Sequence, residues 1–187
     1  WIQEQIENNS STSWSKGKIF LQTADIDASP TEFWDDSDDD SVGGSYNDSN
    51  DDSANGNNEG WKPLGWGSQY DYFEGFYNGN YHRIINLNIN RSTTNINDGY
   101  VGFIGELSDD FFNPAGVIKL GILNANYVIN SGYGQTRIGG IIAGESLNLA
   151  PSLTDLFFEG VIDFSNSSIN SYYVGGILGN FVISSSS

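Results

Sequence analysis

The sequence predicts an all-β protein built as a parallel β-helix (a solenoid), with a short N-terminal helical cap and a long acidic loop insertion. The main reason is a recurring glycine-bounded unit. Gly102-Phe-Ile-Gly105, Gly140-Ile-Ile-Ala143 and Gly176-Ile-Leu-Gly179 each enclose two apolar residues between small ones, and their starts lie 38 and 36 residues apart. Such a repeat is typical of stacked units, because one unit cannot bury both faces of its strands.

Short β-rich runs separated by Gly and Asn turns are the second observation. They fill residues 61–187, which we assign to the solenoid repeats, and no long helix interrupts them. The runs are RIINLNI (83–89), GVIKLGILNANYVI (116–129), LFFEGVIDF (156–164) and VGGILGNFVI (174–183). Asn suits the turns because it tolerates left-handed backbone angles. An ordinary β-sandwich with glycine-rich loops, a fold built of antiparallel sheets, fits the same runs, and this alternative stays open.

Residues 1–29 are predicted to form the cap and a first strand. The segment WIQEQI (1–6) has the spacing of an amphipathic helix, and apolar residues alternate along a strand around Lys18–Asp27. Because the chain opens at Trp1 and contains no Met, we expect a mature or excised sequence from which any signal peptide is gone. Cys is absent as well, which excludes disulfides and thiolate metal sites.

Residues 30–60 are an acidic insertion of Asp, Asn, Ser and Gly. Repelling carboxylates are most simply ordered by bound cations, and calcium is the expected ion. Two calcium-loop patterns supply the metal ligands, namely Asp36, Asp38 and Asp40, followed by Asp48, Asn50, Asp52 and Glu59. The second pattern has the ligand spacing of an EF-hand but lacks its turn Gly and flanking helices. A run this acidic often matches the ligand spacing of a calcium loop by chance. A solvated loop without bound metal is therefore the alternative.

The formal net charge of −17, with only seven Lys and Arg, excludes a nucleic-acid partner, because such binding needs a cationic surface. No apolar run is long enough to span a membrane. The charge fits a solvated exterior, cation binding or a saline setting. Five sequons are glycosylation candidates outside a cell, namely Asn8, Asn9, Asn47, Asn90 and Asn166.

The segment FEGFYNGNYHRIINLNI (73–89) resembles the signature Phe-x-Gly-x-Phe-Asp-Gly-Asn-Gly-His-x-Ile-x-Asn-Leu of bacterial and archaeal surface proteins. Asn78 replaces its Asp and Tyr81 replaces its second turn Gly. TADID (23–27) and WKPLG (61–65) resemble two further segments of that family, and the glycine-bounded units resemble its GLUG repeats. The residues that match the signature are Phe73, Gly75, Gly79, Asn80, His82, Ile84, Asn86 and Leu87.

The resemblance implies a right-handed parallel β-helix on secreted or surface-anchored proteins, often adhesins or stalks. It covers nearly the whole chain except the acidic insertion, which departs from the pattern. Glycines at the corners would allow close approach of neighbouring units. The expected structural turn residues are Gly75, Gly79, Asn80, His82, Gly102, Gly105, Gly140, Gly176 and Gly179.

Catalysis is not expected. His82 is the sole histidine and has no Gly-x-Ser-x-Gly partner, so we expect its ring to hydrogen-bond backbone at a corner. Paired carboxylates could hydrolyse or cleave a polysaccharide, but the basic residues that would hold such a substrate look scattered. The candidate carboxylates are Asp109, Asp110, Asp155, Glu159 and Asp163, and the basic residues are Arg83, Arg91, Lys119 and Arg137.

Aromatic residues crowd Trp61–Tyr81. They are expected to cap the open end of the β-structure. A sugar-stacking platform is the alternative, and it would make Trp66 or Tyr77 a ligand contact.

These observations favour a non-enzymatic structural or adhesive module outside the cell, either part of a surface protein or a subunit of a fibre. Its expected partners are further copies, stacked head to tail, or surface glycans and proteins. A carbohydrate-binding module and a polysaccharide-cleaving enzyme are the alternatives.

Overall fold

The computed structural model describes residues 15–34, 60–65, 72–93, 100–109, 115–132, 135–146, 151–163 and 171–179. The strands in these ranges are β1 (Ile19–Leu21), β2 (Ile26–Asp27), β3 (Phe76–Asn78), β4 (Arg83–Ile85), β5 (Asn88–Thr93), β6 (Tyr100–Val101), β7 (Ile104–Ser108), β8 (Gly116–Gly132), β9 (Gln135–Gly139), β10 (Ile142–Ser146), β11 (Ser152–Asp163) and β12 (Ser171–Gly175). The only helix in the described part is a 3₁₀ helix over Ser29–Phe33, with a Pro in its first turn. No helix in these ranges is long and apolar enough to cross a membrane.

The long strand β8 organises the largest sheet. The strands β3, β4 and β5 pair with successive stretches of one side of β8, and β11 pairs with its other side. The strands β1 and β2 then pair with β3 and β4, which completes seven strands. A three-stranded sheet runs β12-β9-β6, and β10 and β7 form a two-stranded sheet.

Every pairing between named strands is parallel. Parallel strands need long crossovers, which is why partners come from segments far apart in the chain. The antiparallel sandwich alternative therefore does not describe these residues.

The glycine-bounded units lie side by side. Ile104 pairs in register with Ile142, and Ile142 pairs with Leu178, so each unit contributes its second apolar residue to one row. Leu64 extends the row by pairing with Ile104. The WKPLG segment is thus a fourth member of the repeat.

The predicted right-handed β-helix is wrong. The described strands form three separate parallel sheets, and no closed solenoid is found among them. The repeat predicts which segments are neighbours, because parallel pairing needs matching spacing. It does not predict how the sheets join, since the residues between them carry no repeated pattern. The predicted helical cap around 1–6 lies outside the described residues, as do residues 35–59 of the predicted acidic insertion at 30–60, whose first residues belong to the 3₁₀ helix.

The apolar core lies between the sheets and consists mainly of Ile, Leu and Val. From the seven-stranded sheet it includes Val117, Ile122 and Tyr127, and from the two smaller sheets Ile104 and Ile138, all fully or almost fully buried. The predicted single strand around Lys18–Asp27 is divided into β1 and β2. Gln22 lies at the break, where its amide donates to the carbonyl oxygens of Ala24 and Arg83 at 2.8 and 3.0 Å.

The residues that flank the acidic loop in the sequence lie side by side in the structure. The backbone N–H of Gly60 donates to the carbonyl oxygen of Trp34 at 2.9 Å. The rings of Trp34 and Trp61 stack with centroids 6.1 Å apart, and Trp61 stacks in turn on Phe103 at 5.4 Å.

Candidate functional site

The two edges of the seven-stranded sheet are the first candidate surface. We call β1 with β2 the first edge and β11 the last edge. Among the described strands, each of these pairs on one side only. Ile19 and Leu21 of the first edge are 75% and 57% exposed, and Phe157 and Val161 of the last edge are 54% and 60% exposed. Apolar side chains are thus open to solvent at both edges.

A continuous apolar row joins the two edges through the core. Ile26, Ile84, Ile122 and Phe158 pair in register from β2 through β4 and β8 to β11. The inner two residues are buried, whereas Ile26 is exposed and Phe158 half-buried. The row therefore continues to each edge and ends there in partial contact with solvent.

A recess of about 620 Å³ opens at the first edge. Ile19, Leu21 and Ile26 line it from the edge, and Tyr77 lines it from the core. The Tyr77 hydroxyl donates to Gln22 Oε1 at 3.2 Å, and burial raises the pKa of Tyr77 to about 12.

A groove of about 370 Å³ on the outer face of the same sheet is the second candidate surface. Its first wall is the row Tyr81, Lys119 and Asp155. The Tyr81 N–H donates to the Lys119 carbonyl oxygen at 2.9 Å, and the pairing of Thr154 with Ile118 sets Asp155 beside Lys119. All three have left-handed backbone angles, with φ of 65°, 53° and 54°.

A second row of residues completes the groove. It consists of Arg83, Gly121 and Phe157, which pair in register across β4, β8 and β11. Gly121 has no side chain to fill the space, and a Cβ there would meet only Arg83 Cγ, at 3.5 Å. Leu123 adds apolar surface beside this row.

The structure thus brings together Arg83, Lys119 and Asp155, which look scattered in the sequence. Each lies in a different repeated segment, and only the pairing register places them together. Of the other candidate catalytic carboxylates, Glu159 is exposed on β11, Asp163 ends β11 and Asp109 is buried. Asp110 and the side chain of Arg91 lie outside the description.

A partly buried polar cluster joins the two smaller sheets. Arg137 Nη1 donates to the Tyr100 hydroxyl oxygen at 2.6 Å, and the guanidinium lies 4.8 Å from the Tyr100 ring centre. Burial raises the pKa of Glu106, and a hydrogen bond with Tyr100 and the charge of Arg137 offset only part of that rise. Burial also raises the pKa of Tyr100 to about 12. Sequence reasoning missed this cluster because its members share no motif.

His82 contacts a carboxylate, whereas sequence reasoning expected a ring-to-backbone hydrogen bond. Its Nδ1 lies 3.4 Å from Asp25 Oδ1. Asp25 also accepts a 2.9 Å hydrogen bond from the Arg83 N–H, and this bond is the main reason that its pKa is lowered. The side chains of Asp27, Asn86 and Asn124 continue this polar surface as a hydrogen-bonded row.

The predicted turn glycines lie where segments approach closely. A Cβ on Gly102 would be 2.7 Å from the Gly139 carbonyl oxygen, and one on Gly140 would be 2.0 Å from that of Gly176. Close approach is also found for Gly75, Gly79, Gly105 and Gly179, whereas Gly176 itself has open space. Asn80 has a φ of 51°, and its N–H bonds to Asn78 Oδ1 at 2.9 Å.

The predicted metal ligands Asp36, Asp38, Asp40, Asp48, Asn50, Asp52 and Glu59 all lie outside the described residues. Within the described ranges, no group of three or more His, Asp or Glu is placed to hold a metal ion. The sequons at Asn8, Asn9, Asn47 and Asn166 are likewise outside, and Asn90 is half-buried in β5.

The aromatic segment divides between core and surface. Phe73 and Tyr77 are buried, so Tyr77 is not available to a glycan, and Trp66 lies outside the description. Tyr81 is 68% exposed. Among the described rings of this segment, Tyr81 is therefore the exposed one, and Phe157 of a distant segment is exposed beside the same groove.

No protein-family model matches the chain, and comparison with curated proteins and with solved structures gives no significant match. The resemblance to GLUG-repeat proteins stays an expectation from the residues that carry it.

Proposed function

We propose that this chain is a non-enzymatic structural module of the extracellular space whose copies associate head to tail. It would serve as part of a surface protein or as the subunit of a fibre. The observation that carries the proposal is the apolar row Ile26, Ile84, Ile122 and Phe158, which is buried in the middle and partly exposed at both edges of one parallel sheet.

The two edges suit each other because they belong to the same parallel sheet. A second copy displaced along the row would bring its first edge beside the last edge of the first copy, with all strands still parallel. Phe158 of one copy would then lie next to Ile26 of the other, and the recess at the first edge would fill. Exposed apolar edge strands are the usual templates for such pairing.

This association would not close on itself. The two contacting surfaces differ, so the interface is heterologous. Because each added copy is displaced along the row and not rotated back toward the first, one edge stays available. A growing fibre is the natural product. The net charge of −17 opposes it, and salt or bound cations would weaken that repulsion.

Sedimentation velocity over a range of protein and salt concentrations tests the proposal. We expect the wild-type chain to form species that lengthen with concentration and with added salt. Ile26→Lys at the first edge, or Val161→Lys at the last edge, should each reduce this growth strongly, because Lys on an edge strand opposes further pairing. Ile118→Lys on the central strand β8, which has strands on both sides, is the matched control.

Mixing the two edge variants separates this arrangement from other kinds of aggregation. Each variant keeps one intact edge, so the mixture should form dimers and nothing longer. A wild-type chain that stays monomeric, or a mixture without dimers, would overturn the proposal. Thermal unfolding of each variant verifies that it is folded.

A further inference from the structure

We infer that the groove bounded by Tyr81, Lys119, Asp155, Arg83, Gly121 and Phe157 is a binding site for a neutral glycan. This inference does not rest on the proposed self-association, although Phe157 lies on the last edge as well as in the groove. It rests on the shape of the groove, its exposed rings, its mixed polar groups and the backbone angles of its first wall.

The shape suits one sugar ring. Arg83 and Phe157 stand on either side of Gly121, two strand spacings apart, which is about 9.6 Å between their backbones. Because Gly121 carries no side chain, the space between them is open. The volume of about 370 Å³ falls in the range of small-molecule sites, at its lower end.

Two aromatic side chains border this space and are largely open to solvent. Phe157 is 54% exposed and Tyr81 is 68% exposed. Lys119 Nζ lies 5.1 Å from the centre of the Tyr81 ring, a cation–π contact that helps to hold the ring in position. Rings fixed on strands and tight turns present apolar surface at low entropic cost, as the C–H face of a sugar requires.

The polar groups of the groove match hydroxyls, which both donate and accept hydrogen bonds. Arg83 and Lys119 are donors, and the Asp155 carboxylate is an acceptor. Two cations and one carboxylate leave a local charge of only +1. A polyanion would be repelled by the chain's net charge of −17, so the balance of charges favours a neutral ligand.

The backbone of the first wall supports a functional role. Tyr81 and Lys119 have φ of 65° and 53°, a region that bulky side chains seldom occupy. Gly or Asn would adopt these angles at lower cost, as Asn80 and Asn124 do nearby. Residues held in unfavourable angles are concentrated at functional sites, and here both residues reach into the groove.

Isothermal titration calorimetry with cellohexaose, maltohexaose and mannohexaose, and with oligogalacturonate as the acidic comparator, tests the inference. At least one neutral hexaose should bind, with little dependence on salt. Phe157→Ala, Tyr81→Ala and Gly121→Leu should each weaken it by about tenfold or more, which corresponds to 1.4 kcal/mol. Gly121→Leu fills the groove without removing any contact residue. Tyr173→Ala, which removes an exposed ring outside the groove, is the control.

Several outcomes would overturn this inference. These are the absence of binding to all three neutral hexaoses, equal binding by the wild type and all groove variants, and preferential binding of oligogalacturonate. Shortening of a bound hexaose would show chemistry in the groove and would overturn its assignment as a binding site alone. Sedimentation of the same groove variants keeps this test separate from that of self-association.

Discussion

The hydroxyl of Tyr127 donates a 2.9 Å hydrogen bond to the carbonyl oxygen of Gly140. Tyr127 lies on β8 in the seven-stranded sheet, and Gly140 lies between β9 and β10 of the two smaller sheets. The bond therefore joins separate sheets across the core. The Tyr127 side chain is fully buried, and burial raises its pKa well above that of an ordinary tyrosine.

Tyr127→Phe should lower the free energy of unfolding by about 1–3 kcal/mol, because the buried Gly140 carbonyl oxygen loses this donor while the core stays filled. Urea unfolding measures the change. Tyr173→Phe removes the same hydroxyl from an exposed ring and should change stability by less than about 0.5 kcal/mol. Equal effects of the two substitutions would contradict the role of the bond.

Gly140→Ala should be strongly destabilising, by about 2–4 kcal/mol. The added Cβ would lie 2.0 Å from the Gly176 carbonyl oxygen and 2.4 Å from Phe158 Cγ, so the backbone would have to move. Gly176→Ala is a matched control, since its Cβ would have no neighbour within 4 Å. Chemical denaturation of both variants should show a large loss for the first and almost none for the second.

Asn124→Ala should cost more stability than Asn124→Gly. Asn124 has a φ of 52°, and its Nδ2 donates to Asn86 Oδ1 at 2.6 Å. Both variants lose the hydrogen bond, but Ala also pays about 1–2 kcal/mol for the left-handed backbone. Asn126→Ala loses only a hydrogen bond, of 3.1 Å to Asn88. A higher melting temperature for Asn124→Ala than for Asn124→Gly would contradict this account.

Glu106 should make stability depend on pH. Its pKa is raised in the folded state, so the folded chain binds this proton more tightly than the unfolded chain does. The contribution to stability is therefore fully present below the ordinary value of 4.5 and is lost as the pH rises through the raised pKa. Glu106→Gln should remove that decline. Parallel stability profiles for the variant and the wild type, measured by denaturant unfolding, would argue against it.

Calcium binding by the acidic insertion stays a prediction from the sequence. Calorimetric titration of the wild-type chain with calcium should show binding that is lost when Asp36, Asp38 and Asp40 are changed to Asn. Changing Asp48 and Asp52 to Asn tests the second pattern separately. Binding unaltered by both sets of changes would remove the insertion as the ion site.

The neighbour relations of the fold were predictable, whereas its closure was not. The spacing of the glycine-bounded units anticipates the pairing of Ile104 with Ile142 and of Ile142 with Leu178. Leu64 was not predicted as their partner. Lys62 and Pro63 stand where the other units have a Gly and their first apolar residue, so the segment does not match the repeat. How the sheets join depends on segments without any repeat, and there the predicted β-helix was wrong.

The candidate groove could not be predicted from the sequence, for a related reason. Arg83, Lys119 and Asp155 share no motif, and their common location follows only from the register of β4, β8 and β11. Tyr77 and Tyr81 look alike in the sequence, yet one faces the core and the other faces solvent.

The hydrogen bond between Gly60 and Trp34 holds the two residues that flank 35–59 side by side. Nine of the chain's 24 acidic residues belong to this stretch, which contains no basic residue. A short turn could connect its two adjoining ends, and a foreign peptide could be grafted there, without lengthening any strand of the scaffold. We therefore expect that the net charge of the chain can be changed within this stretch while the described sheets keep their pairings.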